Sequence, residues 1–250
     1  MSQQPLIEMR DVHKEFLLSH SGVGSIKTLL LWWRRRRLEH FKVLKGVSLS
    51  VGRGEAVAVI GRNGSGKSTL LSLIARVYRP TSGEIQVNGR VAPLLELGAG
   101  FHPDLTGIEN VFFNGVILGL TRKQVAERLD RIIEFSELGG HIDAPVRTYS
   151  SGMLARLGFA VAVHVDADAL LVDEVLAVGD YAFEEKCYDR IERFKKEQGG
   201  ILFVSHDMDA VRRVADRCIW LHEGVIRAEG VPDGVIAQYL EAFGDRERAR

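Results

Sequence analysis

The sequence lacks any long apolar run. No stretch of the 250 residues approaches the roughly 18 to 20 consecutive apolar residues that a membrane-spanning helix needs, so the chain cannot form a pore by itself. A chain of this length can bury a substantial core. We therefore predict one large α/β domain with an inserted subdomain.

The sequence also lacks a net charge. Basic and acidic residues number 33 each, so no global positive field favours nucleic acid or a membrane surface as a partner. Locally, Arg34–Arg37 directly follow Trp32–Trp33. A block of this kind is usually a solvated face, and composition alone leaves that interpretation open.

Cysteine is scarce, and a secretion signal is missing. Cys187 and Cys218 have no metal-ligand spacing and are expected to be buried free thiols in a reducing compartment. The N-terminus, MSQQPLIEMR, lacks the basic-then-apolar order of a signal peptide. We expect a cytoplasmic location.

The first half of the chain reads as strand, loop, helix and strand. Val47–Val51 and Ala56–Ile60 are β-rich runs separated by glycines, and they are predicted to be neighbouring strands that feed the glycine-rich loop after them. A helix is predicted to begin near Lys67, and a short strand follows at Glu84–Val87.

The second half alternates in the same way. Leu170–Val172 and Ile201–Val204 have the length and apolarity of strands buried on both faces of a parallel sheet, with helical patterns between them. Gln124–Phe135 and Ser151–Val163 are predicted helices, and Gly98–Val165 is predicted to be a mostly helical insertion. Near the end, two short strands are predicted to flank a three-residue hairpin loop, His222–Gly224.

The first motif with chemical meaning is Gly61-Arg62-Asn63-Gly64-Ser65-Gly66-Lys67-Ser68-Thr69, which matches G-x-x-x-x-G-K-[ST] between a predicted strand and a predicted helix. Its glycines let backbone N–H groups turn inward around an anion, and the new helix presents its positive end to the same phosphates. Lys67 would reach the β and γ phosphates of a nucleotide, and Ser68 would offer its hydroxyl to Mg²⁺.

Two further candidate sites directly follow predicted strands, and the carboxyl ends of strands are where α/β sheets place their ligands. Asp173 and Glu174 end the Leu170–Val172 strand; Asp173 would hold the Mg²⁺ shell, and Glu174 would orient or deprotonate the attacking water. His206 follows Ile201–Val204 and could donate a hydrogen bond to the γ phosphate.

A fourth segment, Tyr149-Ser150-Ser151-Gly152-Met153, precedes a helical pattern. Its hydroxyl and glycine residues suit a helix start that binds an anion. An ordinary N-cap explains the same residues, and spacing alone favours the N-cap.

With these four motifs in this order, the chain resembles ABC ATPases from Leu6 to about Tyr239. The resemblance implies an α/β fold: a P-loop NTPase (RecA-like) core at residues 1–97 and 166–250, with an antiparallel β subdomain, and an inserted helical subdomain at 98–165. ATP and Mg²⁺ are the cofactors that it implies.

The resemblance also implies a partner and further site residues. Two such domains pair head to tail, so that each ATP lies between one subunit's phosphate loop and the other's Ser150–Gly152, with Met153 closing that segment. Ala177–Asp180 looks like the family's D-loop, with Asp180 as its acid. Phe16 is the aromatic expected to stack on adenine, with Phe41 as a second candidate.

Departures from the common ABC ATPase pattern narrow the resemblance to one branch of the family. Residues 87–123 contain no glutamine where the family usually carries one that links Mg²⁺ and water to the membrane partner, and Glu96 is the nearest polar stand-in. Leu94–Pro103, Thr106–Asn110 and the substituted Tyr149–Met153 resemble the branch that exports O-antigen, capsule or teichoic acid.

A third mark of that branch is an insertion at about Leu17–Phe41. Ile26, Leu29, Leu30 and Trp33 form one apolar stripe at helical spacing, and Trp beside Arg suits a membrane–water interface. The branch resemblance favours a helix beneath the permease over a surface helix packed on its own domain.

The leading hypothesis is therefore a homodimeric ATPase at the cytoplasmic face of the inner membrane, bound peripherally to a transmembrane permease that moves a lipid-linked glycan, O-antigen first. A soluble ABC ATPase that acts on nucleic acid or ribosomes and a non-hydrolysing ATP-binding regulator are the alternatives. The sequence does not identify the glycan, nor whether a C-terminal carbohydrate-binding domain was removed after Tyr239.

Overall fold

The computed structural model describes residues 4–19, 38–94, 100–173 and 180–247. Predictions that concern Arg34–Arg37, Glu96, Glu174 and Ala177–Gly179 lie outside these ranges. The strands are β1 (Ile7–Ser19), β2 (Leu38–Val51), β3 (Ala56–Ile60), β4 (Ser82–Val87), β5 (Val91–Leu94), β6 (Ala169–Asp173), β7 (Gly200–Val204), β8 (Arg217–His222) and β9 (Val225–Gly230). The helices are α1 (Lys67–Ile74), α2 (Gly107–Ile117), α3 (Arg122–Ser136), α4 (Ser151–Ala162), α5 (Tyr181–Lys196), α6 (Met208–Val214) and α7 (Pro232–Glu247).

The centre of the molecule is a six-stranded sheet in the order β5-β6-β7-β3-β8-β9. The first five strands are parallel, and β9 pairs antiparallel with β8. Every residue of β3 and β7 is buried. Successive side chains of a strand point to opposite faces of the sheet, and both strands are apolar on both faces. The predicted strands Ala56–Ile60, Leu170–Val172 and Ile201–Val204 are confirmed.

Alternation along these strands divides the core into two layers. Ala58 and Phe203 pack with α5, α6 and α7 on one face, and Val59 and Val204 pack with α1 and the second sheet on the other. A third cluster, built around Val111 and other residues of α2–α4, fills the interior of the helical region. The α/β fold class predicted from the sequence is confirmed.

A second sheet of three antiparallel strands has the order β2-β1-β4. The prediction that Val47–Val51 neighbours Ala56–Ile60 is wrong, because Val47–Val51 belongs to β2 and pairs with β1. β3 instead pairs with β7 and β8, which lie far away in the sequence. The local sequence pattern does not indicate which distant strands will pair with each other.

The predicted insertion at about Leu17–Phe41 begins and ends within two paired strands. β1 continues to Ser19 and β2 begins at Leu38, and Phe16 lies opposite Phe41 in their antiparallel ladder. The two strands extend beyond the part of β1 that pairs with β4. The predicted amphipathic helix at Ile26–Trp33 lies outside the described residues.

The β8–β9 hairpin has a two-residue loop rather than the predicted three, because His222 pairs directly with Val225. Glu223 and Gly224 both adopt the left-handed conformation, with φ of 48° and 81°, which matches the twist of a tight hairpin.

Both cysteines are free and buried, as predicted. Burial raises the pKa of the Cys187 and Cys218 thiols to about 12. Within the described ranges, no helix is long and apolar enough to cross a membrane.

Candidate functional site

The phosphate loop, residues 61–69, connects the carboxyl end of β3 to the first turn of α1. Gly66 caps α1 with a left-handed backbone, φ 108°. Gly61 passes so close to β8 that an added Cβ would lie 2.2 Å from the carbonyl oxygen of Leu221. Glycine at these two positions is therefore required by the path of the loop.

Lys67 is buried although it carries a charge, and its side chain turns back onto the loop. Its Nζ donates to the carbonyl oxygen of Gly61 at 2.8 Å and to that of Arg62 at 3.2 Å. Ser65 is also buried, and its Oγ has no hydrogen-bond partner within the described part of the protein. A loop that holds both a buried lysine ammonium and a buried serine hydroxyl is suited to bind an anionic ligand.

A cavity of about 710 Å³ opens over this loop. It combines apolar side chains from the hairpin, loop residues and the end of β6. The lining residues are Phe16, Phe41, Val43, Asn63, Gly64, Gly66, Lys67, Ser68, Thr69 and Asp173. The structure thus brings eight of the predicted site residues and the alternative aromatic to one cavity, while Val43 was not predicted.

Both candidate aromatics border the cavity from the β1–β2 hairpin. Phe16 and Phe41 are directly opposite each other in the ladder and so share a face of the sheet. Phe16 meets the Tyr78 ring edge-on at 5.3 Å, and the Lys14 ammonium lies 4.8 Å from the Phe16 ring centroid. Phe41 is 54% exposed, so the geometry keeps both candidates.

The predicted acids and the histidine follow neighbouring strands. β6 and β7 are adjacent and parallel, so their carboxyl ends reach the same edge of the sheet as the phosphate loop. Asp173 ends β6 and lines the cavity; His206 follows β7 by two residues and is exposed. His206 is not among the residues that line the cavity, and Glu174 lies outside the described residues.

A metal site at this edge would depend on few protein ligands. No group of three or more His, Cys, Asp or Glu side chains in the described ranges could hold a metal ion. Ser68 and Asp173, however, border the same cavity. One hydroxyl, one carboxylate and substrate phosphates form a donor set that Mg²⁺ accepts, because this ion keeps several waters and rarely uses a full protein cage.

The Ser150 segment (Ser150–Met153) starts helix α4. The Ser150 hydroxyl accepts from the Met153 amide at 3.2 Å, which makes it the N-cap. Ser150 and Ser151 are exposed, and none of the four residues lines the phosphate-loop cavity. The N-cap interpretation is thus correct, and the same helix end also directs N–H groups outward.

Asp180 is the N-cap of α5 in the same way. Its Oδ1 accepts from the Phe183 amide at 3.0 Å. The pKa of Asp180 is lowered, first by this amide and then by the neighbouring Arg156 guanidinium.

Sequence reasoning did not identify a role for Asn110, which is completely buried on α2. Its side chain accepts from the His102 amide at 2.7 Å and donates to the carbonyl oxygens of His102, Leu105 and Thr106. It thereby fixes the 100–106 loop against α2. The only available signal was its place in the Thr106–Asn110 segment.

Comparisons with known proteins agree with this geometry. A family model described as "ABC transporter" matches residues 44–177. The O-antigen export system ATP-binding protein RfbB of Klebsiella pneumoniae is 51% identical over 247 residues, which cover 96% of this chain and 99% of that protein. The teichoic acids export ATP-binding protein TagH of Enterococcus faecalis is 41% identical and is matched over 96% of this chain and 53% of its own length.

Among solved structures, a dimeric ATP-binding cassette in a post-hydrolysis state bound to ADP and Pi superposes with a TM-score of 0.74. The match covers 90% of this chain and 98% of that one at 21% identity. At this identity, the likeness supports the fold alone.

Proposed function

The chain belongs to the ABC transporter family, and from that premise we propose that it hydrolyses ATP to drive export of a polysaccharide through a separate permease. The observation that carries the proposal is the phosphate loop, in which the buried Lys67 lines one cavity together with Ser68 and Asp173. The near full-length similarity to an O-antigen export ATP-binding protein supports the choice of cargo.

In this proposal, the N–H groups of residues 61–66 and the amino end of α1 bind the phosphates of ATP. Lys67 exchanges its hydrogen bonds to the Gly61 and Arg62 carbonyls for bonds to the β and γ phosphates. Phe16 or Phe41 stacks on the adenine ring. The cavity accommodates both contacts at once because the hairpin and the loop line it together.

Ser68 and Asp173 would hold Mg²⁺, which when bound neutralises charge on the phosphate oxygens. Glu174, beyond the end of β6, would orient or deprotonate the attacking water. His206, on the adjacent strand end, would donate a hydrogen bond to the γ phosphate. The positions of Asp173 and His206 at neighbouring strand ends support these roles.

A second copy of the chain completes the site. The Ser150–Gly152 end of α4, together with Met153, would contact the γ phosphate of ATP held by the other subunit, and Asp180 would lie beside that interface. ATP binding then closes the dimer, and hydrolysis reopens it. A lone subunit should hydrolyse slowly because its own cavity does not include the Ser150 segment.

The proposed cargo is a lipid-linked glycan, O-antigen before teichoic acid, because the O-antigen relative is the more similar and matches over nearly its whole length. The permease would hold the subunit at the cytoplasmic face of the inner membrane. We assign the contact with the permease to the segment around Ile26–Arg37. Export that is unchanged after deletion of this segment would contradict the assignment.

Phosphate release by the purified protein tests the ATPase. We expect Mg²⁺-dependent turnover that Lys67→Ala abolishes. Glu174→Gln should bind ATP but remain as a closed dimer, detected by light scattering; rapid turnover in this variant would exclude Glu174 as the base. A wild-type protein that binds ATP without releasing phosphate would indicate a regulator instead.

The cargo requires a separate experiment. The complex should be isolated from native membranes and its lipid extract analysed by mass spectrometry. A co-purifying permease with a diphospholipid-linked glycan supports the proposal. Co-purification with ribosomes or nucleic acid, and no permease, would contradict it.

A further inference from the structure

Helices α3, α4 and α5 meet at an ion-pair network centred on Arg156. Arg156 lies on α4, and its side chain is only 17% exposed. Its Nη2 donates to Asp180 Oδ2 at 2.7 Å, and its Nη1 donates to Glu137 Oε2 at 3.1 Å. One guanidinium thus joins the end of α3 to the beginning of α5.

The surroundings fix this guanidinium in place. It lies over the buried Phe183 ring at 4.8 Å from the centroid. Glu137 ends α3 in the left-handed conformation, φ 59°, and its other oxygen accepts from Lys186 Nζ at 3.1 Å. Stacking on the ring and ion pairs on two sides restrict the Arg156 side chain, although its partners Glu137 and Asp180 are 46% and 67% exposed.

Asp180 is held from two sides as well. Its Oδ1 accepts a hydrogen bond from the Phe183 amide in the first turn of α5, and its Oδ2 accepts one from the Arg156 guanidinium. Asp180 is the first described residue after Asp173, which lines the phosphate-loop cavity. The contact to Arg156 therefore connects the beginning of α5 to α4, whose N-cap Ser150 lies about 9 Å from Arg156 along the helix axis.

We propose that Arg156 is a positioning residue that sets the Ser150 end of α4 relative to the Asp180 end of α5, so that both present one fixed surface to the second subunit. The inference rests on the proposed function only in assigning that surface to the ATP of the partner. Arginine is required because its planar fork reaches two carboxylates at once, whereas a lysine ammonium is a single point charge.

The chain offers a matched control in Arg128. Its side chain is 19% exposed, and its Nη2 pairs with Asp166 at 2.7 Å while its Nη1 donates to the His164 carbonyl oxygen at 2.9 Å. Arg128 therefore joins α3 to the residues that follow α4, with similar burial and similar bond lengths, and the ion pair and hydrogen bonds that it makes do not involve Asp180.

Steady-state kinetics separate positioning from stability. For Arg156→Ala, we expect kcat to fall about tenfold or more while the nucleotide affinity of the isolated subunit stays within about twofold. Arg156→Lys should recover part of kcat. Arg128→Ala should lower the unfolding temperature by a similar amount and keep kcat within about twofold of the wild type. Equal losses of kcat in Arg156→Ala and Arg128→Ala would overturn the inference.

Hydrogen exchange tests the same contact without catalysis. In the nucleotide-free protein, the amides of residues 181–184 should exchange about tenfold faster in Arg156→Ala than in Arg128→Ala, and Arg156→Lys should give an intermediate rate that is still faster than that of Arg128→Ala. Unchanged exchange there would contradict the positioning role. A wild type that releases no phosphate would refute the proposed function, while this exchange measurement would still decide the role of Arg156. The Lys variant retains the charge, so the measurement does not depend on Arg156→Ala being folded.

Discussion

The phosphate loop and the Ser150 segment are both helix starts, but the protein holds them by different means. The loop lies between a fully buried strand and α1, and its shape comes from backbone contacts such as the close approach of Gly61 to β8. Ser150 and Ser151 of the Ser150 segment are exposed, and the helix that they start is joined to α5 through side chains, with Arg156 at the centre.

Because of this difference, mutations in the two regions should have different effects. A change in the loop alters the subunit's own ligand, because the loop, Lys67 and Asp173 share one cavity. A change at the Ser150 segment leaves that cavity intact and alters only what the exposed helix end contacts. The largest expected effect belongs to the first kind and the smaller ones to the second.

Lys67→Ala should produce the largest loss. Removing the buried ammonium should weaken nucleotide binding by about 100-fold or more, because the charge-assisted bonds from Lys67 to phosphate are lost. Fluorescent-nucleotide titration and phosphate release measure the effect. Lys45→Ala, an exposed lysine on β2, is the control for charge. Wild-type affinity in Lys67→Ala would remove the basis of the comparison.

Gly61→Ala should destabilise the fold by about 2 to 4 kcal/mol, because its Cβ would collide with a backbone oxygen at a residue with positive φ. Gly64→Ala in the same loop should cost only about 1 kcal/mol, since nothing lies within 4 Å of an added Cβ there. Urea unfolding of the two variants measures the difference. Equal costs would mean that the loop adapts to a side chain at Gly61.

Ser150→Ala should sharpen the contrast. Loss of the N-cap costs about 1 kcal/mol, and kcat should fall about tenfold while the isolated subunit keeps its nucleotide affinity. Thr106→Ala removes the capping box of α2 and should cost as much stability without changing turnover. A loss of affinity in Ser150→Ala would show that the two helix starts are not independent.

His164→Asn should have the smallest effect, visible only as a function of pH. His164 lies just after α4; its Nδ1 donates to the Ala160 carbonyl oxygen at 2.7 Å. Burial lowers its pKa, as do the nearby Arg190, Arg131 and Arg128. The unfolded chain, with a histidine pKa of about 6.5, then binds the proton more readily, so stability falls as pH drops below that value.

Asparagine can donate the same bond but does not titrate. The wild type should therefore lose more of its unfolding temperature than His164→Asn between neutral pH and pH of about 5.5, by roughly 2 to 4 °C for each kcal/mol. The exposed His141, changed to Asn, serves as the control. A parallel decline in all three proteins would exclude His164 as the titrating group.

The parts of the fold that were predictable have local causes. Ala56–Ile60 was predicted with its observed bounds because a short apolar run between turn glycines has few alternatives. The loop that follows needs glycine at defined positions, so its motif carries its own structure. β5 was missed because four residues that include Pro93 give little strand signal, although an edge strand tolerates proline.

The parts that could not be predicted depend on distant contacts. Nothing near Phe16 indicates that Phe41 faces it, because the pairing is set by the register of a long hairpin. Arg156 has no local signal either; its role appears only when α3 and α5 place carboxylates on both sides of it. Sequence motifs identified the groups proposed to meet ATP, while the structure supplied the residues that orient them.

The pairing of β3 has a consequence for the synthesis of the protein. Ala56 pairs with Ile201, and Val57 pairs with Arg217, so a growing chain on the ribosome holds β3 without either sheet neighbour. At the usual rate of elongation, this apolar strand waits on the order of 10 s for its partners. The phosphate loop takes its final shape only near the end of translation, and until then the apolar side chains of β3 lack both of their neighbouring strands.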